Sequence, residues 1–406
     1  MKKITMSQIL FIALFVFFVS CNGKADKSTP ESLGFSSDSL KLAETKIQEF
    51  VDEGKVAGFS TLVLKDGKVA QRGNFGFADI ESQMPYDDNT IVRIFSMSKP
   101  ITAVALMTLF DEGKFQLDDK VSKYIPEYAG IKVYTPNENG FTLEEQENEM
   151  TIRHLLTHTS GISYGWDRDS YVDSLYRAAN GSTRDGTIKE KMLALAELPL
   201  NFQPGTEWKY GLSIDVVGYL VEVLSGISFD EYLKANVLEP LKMEDAGFFV
   251  PEEKHGRLAT LYNNGRDGKL VAAPEAFGDR IKKKPISFSG GGGMVASMND
   301  YARFCKMLLN GGELDGTRIL STKATNLILT NQLPETALYE NGEMGYGLGG
   351  AVDLKSGEYS WAGMASTNFW INPETKTIII TYTQLLPSNY SYGNAFKKMI
   401  ENAMID

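Results

Sequence analysis

Ser96-Met97-Ser98-Lys99-Pro100-Ile101-Thr102 opens an apolar run that continues through Val104, Ala105, Leu106 and Leu109. The spacing predicts a helix over 97–112 with Gly113 as its stop. Pro100 fits only the first turn of such a helix, where a missing N–H costs nothing. Ser96 therefore stands at the helix entrance, and a spacing of three puts its hydroxyl and the Lys99 amine on one face. A serine hydroxyl is a poor nucleophile until a base takes its proton. An amine can do that only while neutral, the form that burial and nearby positive potential favour. A helix N-terminus also offers backbone N–H groups to a developing oxyanion. As a bare pattern S-x-x-K is common in ordinary helices. Its position between a strand-rich segment and a proline singles this one out.

On the N-terminal side, residues 39–53 have helical spacing (Leu40, Leu42, Ile47, Phe50, Val51) closed by Gly54. Residues 59–64 and 69–77 are strand-like, joined by the hairpin signal Lys65-Asp66-Gly67-Lys68, and 79–89 is polar and turn-rich. On the C-terminal side, a short strand follows Ser289-Gly290-Gly291-Gly292-Gly293. A helix over 299–309 comes next, with Ser297 and Asp300 at its start in capping-box spacing. Strands at 359–372 and 375–384 turn at Pro373-Glu374, and a last helix covers 392–403. Between these ends, residues 128–284 read as helix and loop. Amphipathic helices are expected at 188–198 and 214–224, the second capped by Ser213 and stopped by Gly226. The glutamate-rich 143–150 reads as a solvated surface segment, and no internal repeat is evident.

Strands at both ends with helices between them imply an α/β (α+β) fold. An antiparallel sheet built from N- and C-terminal strands is flanked by helices and carries an inserted, mostly helical lobe. The expected boundaries are 34–127 and 285–406 for the sheet domain and 128–284 for the lobe, a single unit over 34–406. A site belongs in the cleft between sheet and lobe.

The composition excludes several classes. The chain is long enough for a large core, and 43% hydrophobic with 23% charged residues excludes a disordered or multi-span membrane protein. A formal charge of −11 repels nucleic acid and anionic lipid, so neither is an expected partner. Two cysteines, Cys21 and Cys305, exclude a disulfide framework, and three histidines leave little for a metal site.

The first 21 residues read as an address. A basic start, Lys2-Lys3, precedes an apolar run over 9–19 that is too short to span a bilayer comfortably. Phe18-Val19-Ser20-Cys21 resembles a bacterial lipobox, in which the cysteine is lipidated; Phe18 stands where leucine is usual. Residues 22–33 then form a flexible tether. The expectation is an exported lipoprotein, periplasmic or outer-membrane-associated and anchored through Cys21. A non-cleaved anchor helix is the alternative.

Several ordered motifs accompany Ser96-Met97-Ser98-Lys99. They are Ile152-Arg153-His154-Leu155-Leu156-Thr157-His158-Thr159-Ser160-Gly161-Ile162, then Pro204-Gly205-Thr206 with Tyr210-Gly211-Leu212-Ser213-Ile214-Asp215. Gly291-Gly292-Gly293-Met294, Leu308-Leu309-Asn310-Gly311-Gly312 and Trp361-Ala362-Gly363 follow. With these, residues 33–406 resemble the penicillin-recognising serine hydrolases, in the class C β-lactamase-like branch that includes esterases and D-amino-acid peptidases. The resemblance implies a serine β-lactamase/DD-peptidase-like fold and an acyl-enzyme on Ser96. It implies that Lys99 and Tyr210 share the proton transfers. Backbone N–H groups of Ser96 and Met364 would form the oxyanion hole. Leu212, Trp361, Ala362 and Gly363 would face the substrate, with no cofactor and no metal.

The chain departs from the branch's Tyr-x-Asn and Lys-Thr-Gly motifs, with Leu212 at the asparagine position and Trp361 at the lysine position. A site without that cation lacks the partner for an anionic substrate end. Efficient β-lactam hydrolysis is thus disfavoured, and a small acyl ester or amide is the expected substrate of a monomeric enzyme. A D-amino-acid peptidase, DD-carboxypeptidase or weak β-lactamase is the nearest rival. A non-catalytic recognition protein is the rival of another class. Residue by residue, plainer readings stay open. Tyr210 could be a half-buried tyrosine and Trp361 ordinary strand packing. His154 and His158 have zinc-compatible spacing but no glutamate in the metalloprotease position, so they read as structural residues near the cleft. The glycine run lacks a following Lys-Ser/Thr, which favours close backbone approach over phosphate binding. Lys282-Lys283-Lys284 reads as solvated, and Cys305 as buried and inert.

Overall fold

The computed structural model describes residues 29–182, 185–265, 268–274 and 280–405. The expected signal segment, the expected lipidation at Cys21 and the first part of the expected tether lie outside the described residues.

Eight antiparallel strands form the main sheet. Their spatial order is Met344–Tyr346, Ala351–Asp353, Tyr359–Gly363, Thr367–Asn372, Thr377–Tyr382, Gly58–Lys65, Lys68–Asp79 and Met84–Pro85. The two ends of the chain thus meet in mid-sheet, with Ser60 opposite Tyr382 and Lys65 opposite Thr377. The hairpin signal at 65–68 is borne out, since Asp66 and Gly67 both adopt positive φ, 50° and 76°. Strand alternation sorts the buried side chains to two faces. Phe59, Val63 and Ile379 join the helices Ser37–Asp52 and Ser391–Asn402 on one side. Leu62, Leu64 and Ile380 face the larger core on the other.

That larger core is built around the helix Ser98–Asp111, in which every residue from Ser98 to Leu109 is buried. A helix apolar all round belongs inside a domain. It packs against Ser213–Ser225, the central helix of the lobe. The lobe's other helices include Ile152–Leu156, Tyr171–Ser182, Ile188–Leu195 and Phe229–Leu233. The sheet, the helical lobe and the buried helix between them match the expected architecture.

Four local expectations need correction. The strand expected over 359–372 is two strands, because Ser366 takes φ 66° and turns the chain between Gly363 and Thr367. Residues Val133–Asn137 and Gly140–Glu144 pair as a surface hairpin inside the region read as helix and loop. Ser213 is the first helical residue rather than the cap, and its hydroxyl bonds that of Ser160 at 2.8 Å. The expected tether is shorter, because Glu31–Leu33 already forms a 3-10 turn and Leu33 packs in the core beside the C-terminal helix. Ser297 does cap Met298–Leu309, accepting from the Asp300 N–H, but the Asp300 carboxylate turns away to accept the Asp245 N–H.

Candidate active site

Ser96 lies in a single 3-10 turn, Phe95–Met97, that leads directly into the buried helix. The residue before it, Phe95, adopts φ 43°, an unusual conformation for a bulky side chain. Surrounding hydrogen bonds hold the turn. Ser98 Oγ donates to the Phe95 carbonyl at 2.6 Å and accepts the Met294 N–H at 3.1 Å. Tyr301 donates to the Met97 carbonyl at 2.9 Å. The strand Tyr359–Gly363 presses against the same turn. A Cβ added to Gly363 would lie 2.3 Å from the Ile94 carbonyl oxygen and 2.2 Å from Thr367 Oγ1. Gly363 is therefore buried between strand and turn rather than on the cavity wall, which corrects its expected substrate contact.

Lys99 is fully buried. Its Nζ lies 3.2 Å from Ser96 Oγ, 3.1 Å from the Tyr164 hydroxyl and 2.6 Å from the Gly291 carbonyl oxygen. These three oxygens hold Nζ beside the serine hydroxyl. Tyr210 donates to Ser96 Oγ at 2.8 Å from the opposite side, and Lys99 Nζ sits 4.5 Å from the centre of the Tyr210 ring. The three residues expected to act together are thus brought together.

The stretch at 152–162 proves to be the platform for Tyr210. His158 accepts the Gly211 N–H on Nδ1 at 3.4 Å, its carbonyl accepts the Lys209 N–H, and its ring centre lies 4.9 Å from that of Tyr210. Burial, followed by the nearby Lys99 charge, holds its imidazole well below the usual histidine range, so it stays neutral. His154 does a different job: its Nδ1 accepts the Thr151 N–H and completes a capping box on Ile152–Leu156. Both histidines are structural, as expected.

Ser96 and Tyr210 open into a cavity of about 910 Å³ that Leu212, Trp361, Ala362 and Met364 also line. Trp361 sits 5.5 Å from Tyr210, ring centre to ring centre, so it is a cavity wall as well as a core contact. The glycine run approaches the site as expected. Gly291 supplies the Lys99 acceptor, and a Cβ there would fall 2.4 Å from Asp215 Oδ2.

Sequence reasoning missed several participants. Tyr164 is the second oxygen partner of Lys99; burial, then Tyr210 and Asp215, push its phenol well above the usual range and keep it neutral. Asp215 accepts from Ser289 Oγ at 2.6 Å and from the Gly291 N–H at 3.2 Å, bracing the loop that serves Lys99. Trp166, 68% exposed, stacks on Tyr164 with ring centres 4.6 Å apart. Tyr339 and Glu340 line the mouth. Aromatics flanking a glycine at 164–166 were the one available signal, because residues 339–340 reach the cleft only through tertiary folding.

A nucleophile at a helix entrance, an enclosed amine and a phenol arriving from an inserted lobe define a serine acyl-transfer site. The chain belongs to the family described as Beta-lactamase, which matches residues 43–401. Among curated proteins it is similar to Rv1367c of Mycobacterium tuberculosis H37Rv, 31% identical over 366 residues that cover 85% of this chain and 90% of that protein. It is similar to the esterase EstB of Burkholderia gladioli, 33% identical over 289 residues, 66% of this chain and 70% of EstB. Among solved structures, EstCE1, titled a hydrolase with promiscuous acyltransferase activity, superposes with a TM-score of 0.76 at 25% identity. That match covers 89% of this chain and 98% of EstCE1.

Proposed function

We propose that the protein is an esterase-like serine hydrolase that works through an acyl-enzyme on Ser96. The observation that carries this is the convergence of Lys99 Nζ and the Tyr210 hydroxyl on one Ser96 oxygen at the floor of an aromatic cavity. The similarity to EstB and EstCE1 supports the ester over the peptide reading. With the Lys99–Tyr210 pair one proton short of ammonium plus phenol, Ser96 Oγ bonds to the ester carbon, its proton passes to that pair, and the alcohol leaves with a proton from it. Water then repeats the sequence and releases the acid. Because the two groups share one hydroxyl, the proton acceptor is a property of the pair. The family resemblance supports the backbone N–H groups of Ser96 and Met364, both cavity-lining residues, as the oxyanion hole.

The test compares a p-nitrophenyl acyl ester, a chromogenic cephalosporin and a D-amino-acid amide, with intact mass after a fluorophosphonate probe. Ester turnover should lead, with one adduct that disappears in Ser96→Ala. Rapid turnover of the cephalosporin alone would reverse the assignment, and an equal adduct on Ser96→Ala would favour a non-catalytic role.

The finer reading is of a monomer held at a membrane by lipid on Cys21. The basic start, the short apolar run and the lipobox-like Phe18-Val19-Ser20-Cys21 support it. Fractionation of cells should find the full chain with membranes and Cys21→Ala released from them. An unchanged distribution would remove the anchor.

A further inference from the structure

We infer that this cleft selects esters carrying a fixed positive charge, an ammonium group in the part of the substrate that reaches the rim. The inference rests on the acyl-enzyme reading and specifies its substrate class. Three features of the cavity carry it.

The first is the sign of the charge on its walls. Two carboxylates line the cavity, Asp215 and Glu340, and among the described residues no lysine, arginine or histidine side chain does. Lys99 lies beneath the wall, fully buried, with Ser96, Tyr164 and Gly291 as its oxygen partners. Asp215 stands just behind Gly291, where it bonds that residue's N–H. Asp215 and Lys99 both bond Gly291 and offset one another, so an anion reaching the rim would be desolvated beside the like charge of Glu340. A cation would not.

The second feature is the walls themselves. Trp166, Tyr210, Tyr339 and Trp361 all contribute; the first, second and fourth are in successive ring contact, and Tyr339 joins them through Tyr346. Trp166 to Tyr210 is 5.8 Å and Tyr210 to Trp361 is 5.5 Å between ring centres. Aromatic faces attract a cation through their quadrupole, most strongly for a weakly hydrated quaternary ammonium. A purely apolar acyl cavity needs no carboxylate at its mouth.

The third is how Glu340 is held there. It takes φ 46° and Asn341 takes φ 54°, two successive left-handed residues without a glycine. Such a turn persists only where neighbours enforce it. The preceding Tyr339 supplies that anchor, packed on Trp208 at 4.3 Å and edge-on to Tyr346 at 5.8 Å. The backbone that carries Glu340 is thereby held beside the aromatic walls.

The experiment measures kcat/KM by pH-stat for three butyrate esters of similar size. They are butyrylcholine, its neutral isostere 3,3-dimethylbutyl butyrate, and the butyryl ester of 4-hydroxybutyrate. Butyrylcholine should exceed the neutral isostere about tenfold, and the carboxylate ester should be slowest. Glu340→Gln should cut the cation-to-neutral ratio about fivefold, and added salt should shrink it in wild type. Glu374→Gln, an exposed carboxylate in the distant 373–376 turn, should leave the ratio at the wild-type value. A wild-type ratio of one or less, or a ratio that Glu340→Gln does not move, overturns the inference. Neutral-ester hydrolysis that depends on Ser96 would then still support the acyl-enzyme reading. Failure to hydrolyse any ester, with no Ser96 adduct, overturns both.

Discussion

The floor and the rim of the cleft are built on opposite principles. At the floor, Lys99 is completely enclosed, and Ser96 is held by a turn that is itself braced by Ser98, Met294 and Tyr301. At the rim, Trp166 is mostly exposed and Glu340 sits in a strained turn anchored through one aromatic neighbour. The floor is fixed by burial and by matched donors and acceptors, so its geometry tolerates little change. The rim is fixed by ring stacking and tertiary contact, so it can vary without disturbing the chemistry beneath it. Catalysis and selection are therefore carried by different physical interactions within one cavity.

The sharpest way to break that division is Tyr164→Phe. Tyr164 belongs to the floor by its bond to Lys99 and to the rim by its stack on Trp166. The phenylalanine keeps the stack and removes only the oxygen. Lys99 Nζ then loses one of its three buried hydrogen-bond partners, so kcat should fall about 10- to 100-fold. KM for a neutral ester should change little. Steady-state kinetics on a p-nitrophenyl ester decides this. A rise in KM with unchanged kcat would place Tyr164 with the rim and blur the distinction.

Trp166→Ala is the complementary change, with a smaller effect. It strips an aromatic wall whose ring centre lies 5.8 Å from that of Tyr210, but it removes no hydrogen bond to Ser96. KM should rise about 3- to 10-fold, with kcat following far less. If kcat instead collapsed, the stack on Tyr164 would be shown to hold the floor in place.

The same division explains what the sequence made legible. Ser96, Lys99 and Pro100 lie within five residues on one helix entrance, so local spacing alone places them. Tyr210 followed from a second short motif through the family resemblance, and the sheet from strand-like runs at 59–64 and 69–77 joined by a turn signal. The Val133–Asn137 and Gly140–Glu144 hairpin escaped because its second strand is only five residues long, is exposed throughout and runs into the glutamate-rich segment read as solvated surface. The split at Ser366 escaped because a left-handed serine leaves no mark in composition. Asp215 was visible as a residue but not as a brace, since its partners Ser289 and Gly291 lie more than seventy residues away. Glu340 had no signal at all. Its role depends on Tyr339 reaching Trp208 across the fold.

The smallest effect concerns stability, and it probes how the floor is supported. His158 is buried beneath Tyr210 and held neutral, with its affinity for protons well below that of an unfolded histidine. As pH falls below about 6.5, the unfolded chain takes up a proton at this position and the fold does not. Its contribution to stability is therefore complete above that pH and is lost progressively below it. His154, lowered to about 4 chiefly by burial, adds a slope of the same sign between its unfolded and folded values. Asp300, raised to about 7 by burial, acts oppositely: its contribution is lost as pH rises toward 7. The total slope is thus a difference, and only a variant isolates the His158 part. His158 also takes φ 57°, a conformation that asparagine tolerates better than most residues. His158→Asn should therefore fold, lower Tm modestly at pH 7, and lose less Tm than wild type between pH 7 and pH 5. Thermal melts across that range measure the two slopes. Equal slopes would mean that the imidazole under Tyr210 reaches solvent, and that the floor is looser than its hydrogen bonds imply.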